Sequence, residues 1–542
     1  MSSDLSFNCG CSFKVLEKTK EFPKIEFSPN VEILNLDCSS TWDLISSGNT
    51  KGCFQLESRL GQMMSKKLKP QNMEQLSALI SILRPGCLEA VRDGKTVSNH
   101  YIDKKNAQES IDYFHPALEQ ILTTTYGEMI YQEQAMEITQ VVAGFNLQEA
   151  DMLRKAIGKK KPEEMAKVKI KFIEGSKRLG IVTEPQAEEI FGWIEKSQRY
   201  SFNKSHSVSY AMNAYLSAYA KAHFPQIFFA SYLKFAKDKI DPQQEIKELV
   251  KNANEMDIEV RLPDIRLRNG SFVIQNQHIY FGLTNIKGIG QSVYSKLEGL
   301  IEHMKIAEMS WVELAASVLT KINSTAAKAL ISSGALDFTK LNRTNMLFEL
   351  DILSQLTSKE IDYLMGMIIE GKKPSINEIM RSLISHPKIN KNRKQIIIGL
   401  VDALLSPPYS LVDKIEWLSD SENDLLGVAI SCSKLDSYDI GMANTICKDF
   451  KRSMARTHNV IIAGEITNVN IVTTKNGKNP GSEMAFVSIE DQTGILDSII
   501  FFPEQLSTYK THLFPSNILV FMGTQSKTKD GLIVEKCFVP MT

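Results

Sequence analysis

Asn146-Leu-Gln-Glu-Ala-Asp-Met-Leu-Arg-Lys-Ala-Ile-Gly-Lys-Lys-Lys161 is the first of two basic segments around which this chain is organised. The second is Tyr200-Ser-Phe-Asn-Lys-Ser-His-Ser-Val-Ser-Tyr-Ala211, and about one helix pair separates the two. Both segments place cations and small hydrogen-bonding residues beside predicted helix ends. Such an arrangement suits a polyphosphate ligand.

The first segment predicts a capped amphipathic helix. Asn146, with Glu149 three residues later, matches a capping box, which satisfies two orphan amides at a helix start. The apolar stripe of this helix is expected along Leu147, Ala150, Leu153 and Ile157.

Five cations accompany this helix. Arg154 and Lys155 lie off the apolar stripe, and the far end is crowded by Lys159, Lys160 and Lys161. One interpretation is a solvated helix, because the macrodipole favours cations at a helix C-terminus. The other is an anion site, because five cations within eight residues create a local positive field. The spacing leaves both interpretations open.

The second segment predicts a longer helix with a phosphate-binding start. Four of its residues suit helix caps, namely Ser201, Asn203, Ser205 and Ser207. The helix is expected to run to about His223 and to stop at Pro225. Its start is expected to offer free backbone N–H groups beside Lys204 and His206, and such a site can hold a phosphate.

Two features of this helix also have a structural interpretation. On spacing alone we favour a capping or packed role for His206. Tyr210, Tyr215 and Tyr219, with many alanines between them, predict a close-packed face of the core rather than a base-stacking surface.

Composition excludes several classes of protein. The 542 residues are enough for about three or four domains. The 63 basic and 63 acidic residues balance, which excludes a globally basic coat for nucleic acid but not local basic patches. No apolar run is long enough to cross a bilayer, and no signal peptide is evident.

The cysteines predict reduced thiols. Eight are scattered along the chain, and Cys9 and Cys11 are the only close pair. No second pair stands at zinc spacing, so no metal site is assigned. Reduced thiols are typical of a cytoplasmic protein, which is the expected location.

From Asn459 the hydrophobic period changes from helical to alternating. One strand begins at Val460, and further strands are expected at 484–489, 495–501, 518–522 and 532–537. Five short strands suit an OB-fold barrel, whose common ligand is single-stranded nucleic acid. Candidates for base stacking are Phe486, Phe501, Phe502 and Phe521, of which about half are expected to be core.

Several segments resemble, in order, the fingers of family C DNA polymerases, the bacterial replicative polymerase III alpha subunits. These segments are Gly52-Cys-Phe-Gln-Leu-Glu-Ser58, Leu83-Arg-Pro-Gly86, residues 126–134, residues 150–161 and Phe202-Asn-Lys-Ser-His206. The resemblance continues to the C-terminus and covers about residues 33–542.

The resemblance implies a multidomain fold that is mainly α in the fingers and helix-hairpin-helix and ends in an all-β OB-fold barrel. We expect an N-terminal extension of unknown role at 1–35, followed by four regions. These are the fingers at 36–262, a helix-hairpin-helix DNA-binding region at 263–345, a helical connector at 346–445 and an OB-fold nucleic-acid-binding domain at 446–542.

The resemblance also implies site residues. Those expected to contact the triphosphate of the incoming nucleotide are Arg154, Lys155, Lys204, Ser205 and His206. The family commonly has a second arginine in place of Lys155, and lysine lacks the planar fork needed for bidentate contact. Residues expected to contact DNA are Lys159, Lys160, Lys161, Lys287, Gly288 and Gly290.

The last three of these belong to a glycine turn. Gly288 and Gly290 allow a tight turn, and the next helix presents its amides outward beside Lys287. This segment resembles a helix-hairpin-helix, which reads the DNA backbone without base specificity.

The catalytic residues are expected outside this sequence. Nucleotidyl transfer needs carboxylates that hold two Mg²⁺ ions about 4 Å apart. In family C these aspartates lie in an Asp-x-Asp strand of a palm upstream of the fingers, and no Asp-x-Asp occurs in this chain. We therefore expect part of a replicative DNA-directed DNA polymerase that is active with a palm-bearing partner chain, as a split gene would produce and as is plausible in a phage.

The implied cofactor is Mg²⁺, held mainly by the missing palm. The implied ligands are primer–template DNA and dNTPs, and a sliding clamp and other replisome proteins are further partners. Residues 339–415 contain no convincing glutamine-plus-aromatic clamp peptide. A non-catalytic DNA-binding replication scaffold is the alternative function, and an unrelated helical enzyme is a third.

Overall fold

The computed structural model describes residues 5–17, 24–27, 34–158, 162–197, 201–368, 374–452, 458–474, 480–526 and 531–541. The chain divides into two compact units, Met1–Phe228 and Phe229–Thr542. Helices predominate in both units, and a β-barrel ends the second, so the expected fold class is confirmed. Within the ranges given, no helix is both long and apolar enough to span a membrane.

The first unit is mainly helical. Its helices are α1 (Ser39–Ser46), α2 (Arg59–Leu68), α3 (Met73–Ile82), α4 (Pro85–Glu89), α5 (Val97–Lys105), α6 (Glu119–Leu122), α7 (Gln132–Ala143), α8 (Leu147–Gly158), α9 (Pro162–Leu179), α10 (Glu184–Ser197) and α11 (Lys204–His223), and α12 (Pro225–Phe235) follows. Its antiparallel strand pairs are β1 (Leu5–Ser6) with β2 (Ser12–Phe13), β3 (Val15–Glu17) with β4 (Lys24–Ile25), and β5 (Val91–Arg92) with β6 (Lys95–Thr96).

Helix α11 lies at the centre of the first hydrophobic core. Small residues on its inner face, such as Ala211 and Ala218, are buried and permit close packing against α1 and α3. Tyr215 and Tyr219 are buried on the same face, as the sequence predicts, whereas Tyr210 is only half-buried. Burying one large apolar side chain stabilises the folded state by roughly 1.5–3 kcal/mol, so this buried face anchors the helix.

Helices α7, α8, α9 and α10 enclose a second core around Phe172 and Phe191. The predicted stripe of α8 is partly confirmed, because Ala150 and Leu153 are fully buried. Leu147 is 74% exposed, so the prediction is wrong there. Leu147 is the first residue of the helix and precedes the buried positions. The side chain of Ile157, the last residue of the predicted stripe, lies outside the described part of the helix.

The second unit begins with helices around a small sheet. Its helices before the barrel are α13 (Pro242–Glu255), α14 (Gln291–Ile301), α15 (Trp311–Ser317), α16 (Ser324–Ser332), α17 (Arg343–Leu353), α18 (Ser358–Met367), α19 (Ile376–Ile384), α20 (Lys391–Leu405), α21 (Ile415–Leu426) and α22 (Cys447–Lys451). The sheet has the order β7 (Val260–Arg261), β9 (His278–Tyr280), β8 (Val273–Gln275). A buried ion pair joins Arg343 of α17 to Glu422 of α21 at 2.8 Å.

The barrel confirms the five predicted strands. They are β10 (Val460–Thr473), β11 (Glu483–Asp491), β12 (Gly494–Phe501), β13 (Ile518–Gln525) and β14 (Leu532–Phe538), with α23 (Pro503–Tyr509) between β12 and β13. The closed order is β10-β11-β12-β14-β13, the arrangement of an OB-fold. Phe501 and Phe521 are fully buried core residues, whereas Phe502 is 44% exposed. Phe501 is the last residue of β12, whereas Phe502 lies beyond the strand as the N-cap of α23. Phe486, the fourth candidate, is half-buried.

Candidate functional site

The start of α11 is closed by side-chain caps. The Oδ1 atom of Asn203 accepts the N–H of His206 at 2.9 Å and the hydroxyl of Ser205 at 2.8 Å. Glu133, from the first turn of α7, accepts the N–H of Lys204 at 2.9 Å and a side-chain N–H of Asn203 at 2.8 Å. The prediction of free backbone N–H groups is therefore wrong for Lys204 and His206.

A row of aromatic rings and cations lies beside this helix start. The guanidinium of Arg84 stands 4.5 Å from the ring centroid of Phe202. The ring of His206 lies 5.4 Å from that of Phe202 and 4.2 Å from that of Tyr210, which in turn lies 5.2 Å from Phe54. Arg84, His206 and Phe54 are exposed. The row offers flat faces for stacking and positive charge for an anion.

We define this row, Phe54, Arg84, Phe202, His206 and Tyr210, as the cationic–aromatic row. The sequence prediction identified only His206 as a binding residue. The four-residue spacing of His206 and Tyr210 was a usable signal, because residues four apart share one helix face, and Phe202 lies just before the N-cap of that helix. Arg84 and Phe54 come from distant segments, and no local pattern connects them to this helix.

Lys204 contributes a further cation. Its Nζ atom lies 3.3 Å from a carboxylate oxygen of Glu74 and 5.6 Å from the ring centroid of Tyr131. The side chain is about one-third exposed. Its charge is thus partly balanced in the free protein, while its ammonium group remains accessible to an anion.

A buried hydroxyl network holds α11 against α3. Ser207 donates to the carbonyl oxygen of Ser77 at 2.6 Å, and its hydroxyl lies 2.8 Å from that of Ser81. Ser77 also lies 3.1 Å from the hydroxyl of Tyr131, which stands at the start of α7. Burial raises the pKa of Tyr131 to about 12, so the group stays a neutral hydrogen-bonding partner. These hydrogen bonds hold the first turn of α11 in position against α3.

The cations of α8 form a second group. Asn146 and Glu149 form the predicted capping box, with N···O distances of 2.9 and 3.0 Å. Asp151 forms ion pairs with Arg154 at 2.7 Å and Lys155 at 2.8 Å. Hydrogen bonds from Lys155 and Arg154 lower the pKa of Asp151. Arg154 and Lys155 are exposed cations already engaged by one carboxylate.

The structure brings together Lys204, Ser205 and His206 in one group, and Arg154 with Lys155 in another. Within the ranges that the structure describes, no hydrogen bond or ion pair joins the two groups. Their joint contact with a triphosphate remains a prediction. The predicted DNA contacts at 159–161 lie outside the described residues.

The glycine turn of the second unit has an exposed tip. Lys287, Gly288 and Gly290 are exposed, whereas Ile289 between the glycines is buried and anchors the turn. Gly288 has φ +94°, a conformation that L side chains rarely adopt. Gly290 is the N-cap of α14 and supplies no side-chain cap. The first backbone N–H groups of α14 can therefore donate hydrogen bonds to a phosphate of the DNA backbone.

Comparison with known proteins identifies two family matches. Residues 13–180 match the bacterial DNA polymerase III alpha subunit finger domain, and residues 257–346 match a helix-hairpin-helix motif. The first range contains Arg154 and Lys155, and the second contains Lys287, Gly288 and Gly290.

Individual relatives match over most of the chain. DNA polymerase III subunit alpha of Aquifex aeolicus is 31% identical over 501 residues, which is 90% of this chain and 38% of the relative. The subunit of Haemophilus influenzae is 31% identical over 517 residues, covering 92% and 41%. That of Pseudomonas aeruginosa is 30% identical over 488 residues, covering 87% and 39%. The chain spans about two fifths of the length of these relatives.

Proposed function

Because this chain is a family C DNA polymerase sequence that corresponds to the C-terminal region of the alpha subunit, we propose that it binds the incoming dNTP and primer–template DNA during template-directed DNA synthesis. The observation that carries the proposal is the cationic–aromatic row beside the capped start of α11. Polymerase relatives and the helix-hairpin-helix match support DNA binding by the second unit.

The triphosphate is bound by side chains rather than by helix amides. The N–H groups of Lys204 and His206 are already occupied, so the phosphates contact the Lys204 ammonium, the His206 ring and the Arg84 guanidinium. The rings of the row then support the sugar or base, since every base offers a π-face for stacking. The hydroxyl of Ser205, bonded to Asn203, completes the polar edge.

Arg154 and Lys155 bind the same triphosphate once their ion pairs with Asp151 are broken. Replacing Arg154 by alanine removes a charge-assisted contact of about 1.5–3 kcal/mol, so dNTP binding should weaken about tenfold or more while duplex binding stays nearly intact. Lys167→Ala is the matched control, because Lys167 is an exposed cation of α9 in the same unit. Calorimetric titration with dATP and fluorescence anisotropy with primed DNA give the two affinities.

Equal loss of dATP and duplex binding in Arg154→Ala would favour the scaffold alternative. No loss of dATP binding would remove Arg154 from the nucleotide site.

The described acidic residues at this site do not fit Mg²⁺. Glu133 caps α11, and Glu74 pairs with Lys204, so neither is arranged to hold a metal ion. We propose that a palm-bearing partner chain supplies the metal-binding carboxylates. Purified chain with primed template, dNTPs and Mg²⁺ should show no robust extension, and addition of the partner should restore it. Robust extension by this chain alone would refute the partner requirement.

The glycine turn approaches the duplex backbone. Gly290 has an ordinary negative φ, and no other atom lies within 4 Å of the position that an alanine Cβ would take, so Gly290→Ala should fold normally. The added methyl group would nevertheless stand between the α14 amides and a phosphate, and duplex affinity should fall. Gly299→Ala, an equally open position later in α14, is the control. Unchanged affinity in Gly290→Ala, or a flat response of affinity to salt, would exclude this turn as a DNA contact.

A further inference from the structure

Four metal-binding side chains converge in the first unit. The ligand atoms of Cys9, Cys11, Cys38 and His223 all lie within 4.8 Å of one another. The Nε2 atom of His223 lies 3.4 Å from the Sγ of Cys38 and 4.0 Å from that of Cys9. Among the residues that the structure describes, this is the only such group of three or more Cys, His, Asp or Glu ligand atoms.

The sequence could not reveal this cluster. The prediction assigned reduced thiols and no metal site, because Cys9 and Cys11 have no second cysteine pair at zinc spacing. Their partners come instead from a distant cysteine and histidine. His223 is 214 residues from Cys9 and 185 residues from Cys38.

The backbone presents each ligand from a short, defined element. Cys9 and Cys11 flank Gly10, whose φ of +82° makes the tight turn between β1 and β2. Cys38 is the N-cap of α1, and its side chain makes no capping hydrogen bond. His223 is the last residue of α11. A turn and two helix ends therefore meet at one point.

We propose that these four residues bind one Zn²⁺ ion in a closed Cys₃His structural site. Tetrahedral coordination with Zn–S of about 2.3 Å and Zn–N of about 2.0 Å requires S···S separations of about 3.8 Å and S···N separations of about 3.5 Å. The two measured S···N distances bracket the required value. Small rotations of the cysteine side chains bring the remaining atoms to it.

The surroundings favour a structural rather than a catalytic ion. Cys11, Cys38 and His223 are at most 5% exposed. The rings of Phe7, Phe13, Tyr219 and Phe224 surround the imidazole at centroid distances of 4.4–6.2 Å. Four protein ligands inside an apolar shell leave no position for water or substrate, which is the arrangement of a structural zinc site.

The amide of Asn35 supports one ligand directly. Its Nδ2 atom lies 3.4 Å from the Sγ of Cys11, and an N–H donated to sulfur stabilises a thiolate. The ion thus ties the N-terminal β1–β2 turn and the start of α1 to the end of α11. The opposite end of α11 carries Lys204 and His206, about 28 Å away for a helix of this length.

Metal analysis of the purified full-length chain tests the site. After incubation with Zn²⁺ and gel filtration, one zinc per chain is expected by inductively coupled plasma mass spectrometry. Replacement by Co²⁺ should produce the visible absorption bands of tetrahedral thiolate coordination. A wild-type chain without stoichiometric metal, or with cobalt spectra of octahedral oxygen coordination, would overturn the proposal.

Variants separate this site from general damage to the fold. Cys11→Ser and His223→Ala should lose the bound zinc and its stabilisation, whereas Cys87→Ser should keep the metal, because Cys87 is a buried cysteine of the same unit outside the cluster. Chelation should lower the Tm of the wild type but not that of Cys11→Ser. Retention of one zinc by Cys11→Ser and His223→Ala, or equal metal loss in Cys87→Ser, would also refute the assignment.

Discussion

Replacing Glu133 by glutamine separates two effects of one carboxylate at the start of α11. The side chain accepts the N–H of Lys204 and a side-chain N–H of Asn203, both within 2.9 Å. Its negative charge stabilises the helix N-terminus. The same charge opposes an incoming phosphate at that helix end. We therefore expect Glu133→Gln to lower stability and to strengthen anion binding.

The structure permits an estimate of both effects. Glutamine retains one acceptor oxygen, so one of the two charge-assisted hydrogen bonds is lost and the other becomes neutral. Since hydrogen bonds to charged groups contribute about 1.5–3 kcal/mol each and neutral ones about 1 kcal/mol, the free energy of unfolding of the first unit should fall by about 2–5 kcal/mol. For the unit Met1–Phe228, this lowers Tm by about 4–20 °C.

The binding effect follows from Coulomb's law. Two unit charges about 8 Å apart in water interact by about 0.5 kcal/mol. A triphosphate carries several charges, so relief of repulsion amounts to roughly 1 kcal/mol after screening by salt, which is about a fivefold lower Kd. The gain should diminish as ionic strength increases.

Differential scanning calorimetry and low-salt titration with dATP measure the two quantities. Glu137→Gln is the matched control, because Glu137 is exposed on the same helix and forms no hydrogen bond or ion pair with any described residue. It changes the net charge equally but should leave Tm and Kd nearly unchanged. Weaker dATP binding in Glu133→Gln would refute the reasoning, since the carboxylate would then support the anion site.

Three further predictions concern stability. Glu422→Ala removes one of the two carboxylates paired with the buried guanidinium of Arg343, and Asp337 remains as the other. It also removes the acceptor of two backbone N–H groups, so the second unit should lose about 1–3 kcal/mol in urea unfolding, whereas the exposed Asp424→Ala should not. Burial raises the pKa of Glu490, but two lysines of α13 outweigh it and lower the pKa overall. A carboxyl group whose pKa is lowered by folding stabilises the fold above its unfolded pKa of about 4.3. This stabilisation is lost as the pH falls through the folded pKa, so the stability difference between wild type and Glu490→Gln should vanish in acid. An undiminished difference at low pH would contradict this sign. Ser207→Ala leaves two buried serine hydroxyls of α3 short of a partner and should cost about 1–3 kcal/mol by calorimetry, and an unchanged Tm would show that the network does not hold α11.

The sequence by itself determined the elements whose signals are local. Alternation from Val460 onward predicted the five barrel strands, because successive residues of a strand face opposite sides. Asn146 and Glu149 predicted the cap of α8, because a capping box needs only residues three apart. Pro225 similarly marked the end of α11, since proline cannot continue the backbone ladder.

Only the tertiary structure decided which side chains meet. Glu133 caps α11 from about 70 residues away, so the sequence could not show that the backbone N–H of Lys204 is occupied. Arg84 reaches Phe202, and Cys38 reaches His223, through the packing of separate elements. Such contacts leave no periodic trace in the sequence, because the partner of a polar side chain is selected by the packing of helices and turns rather than by its neighbours along the chain.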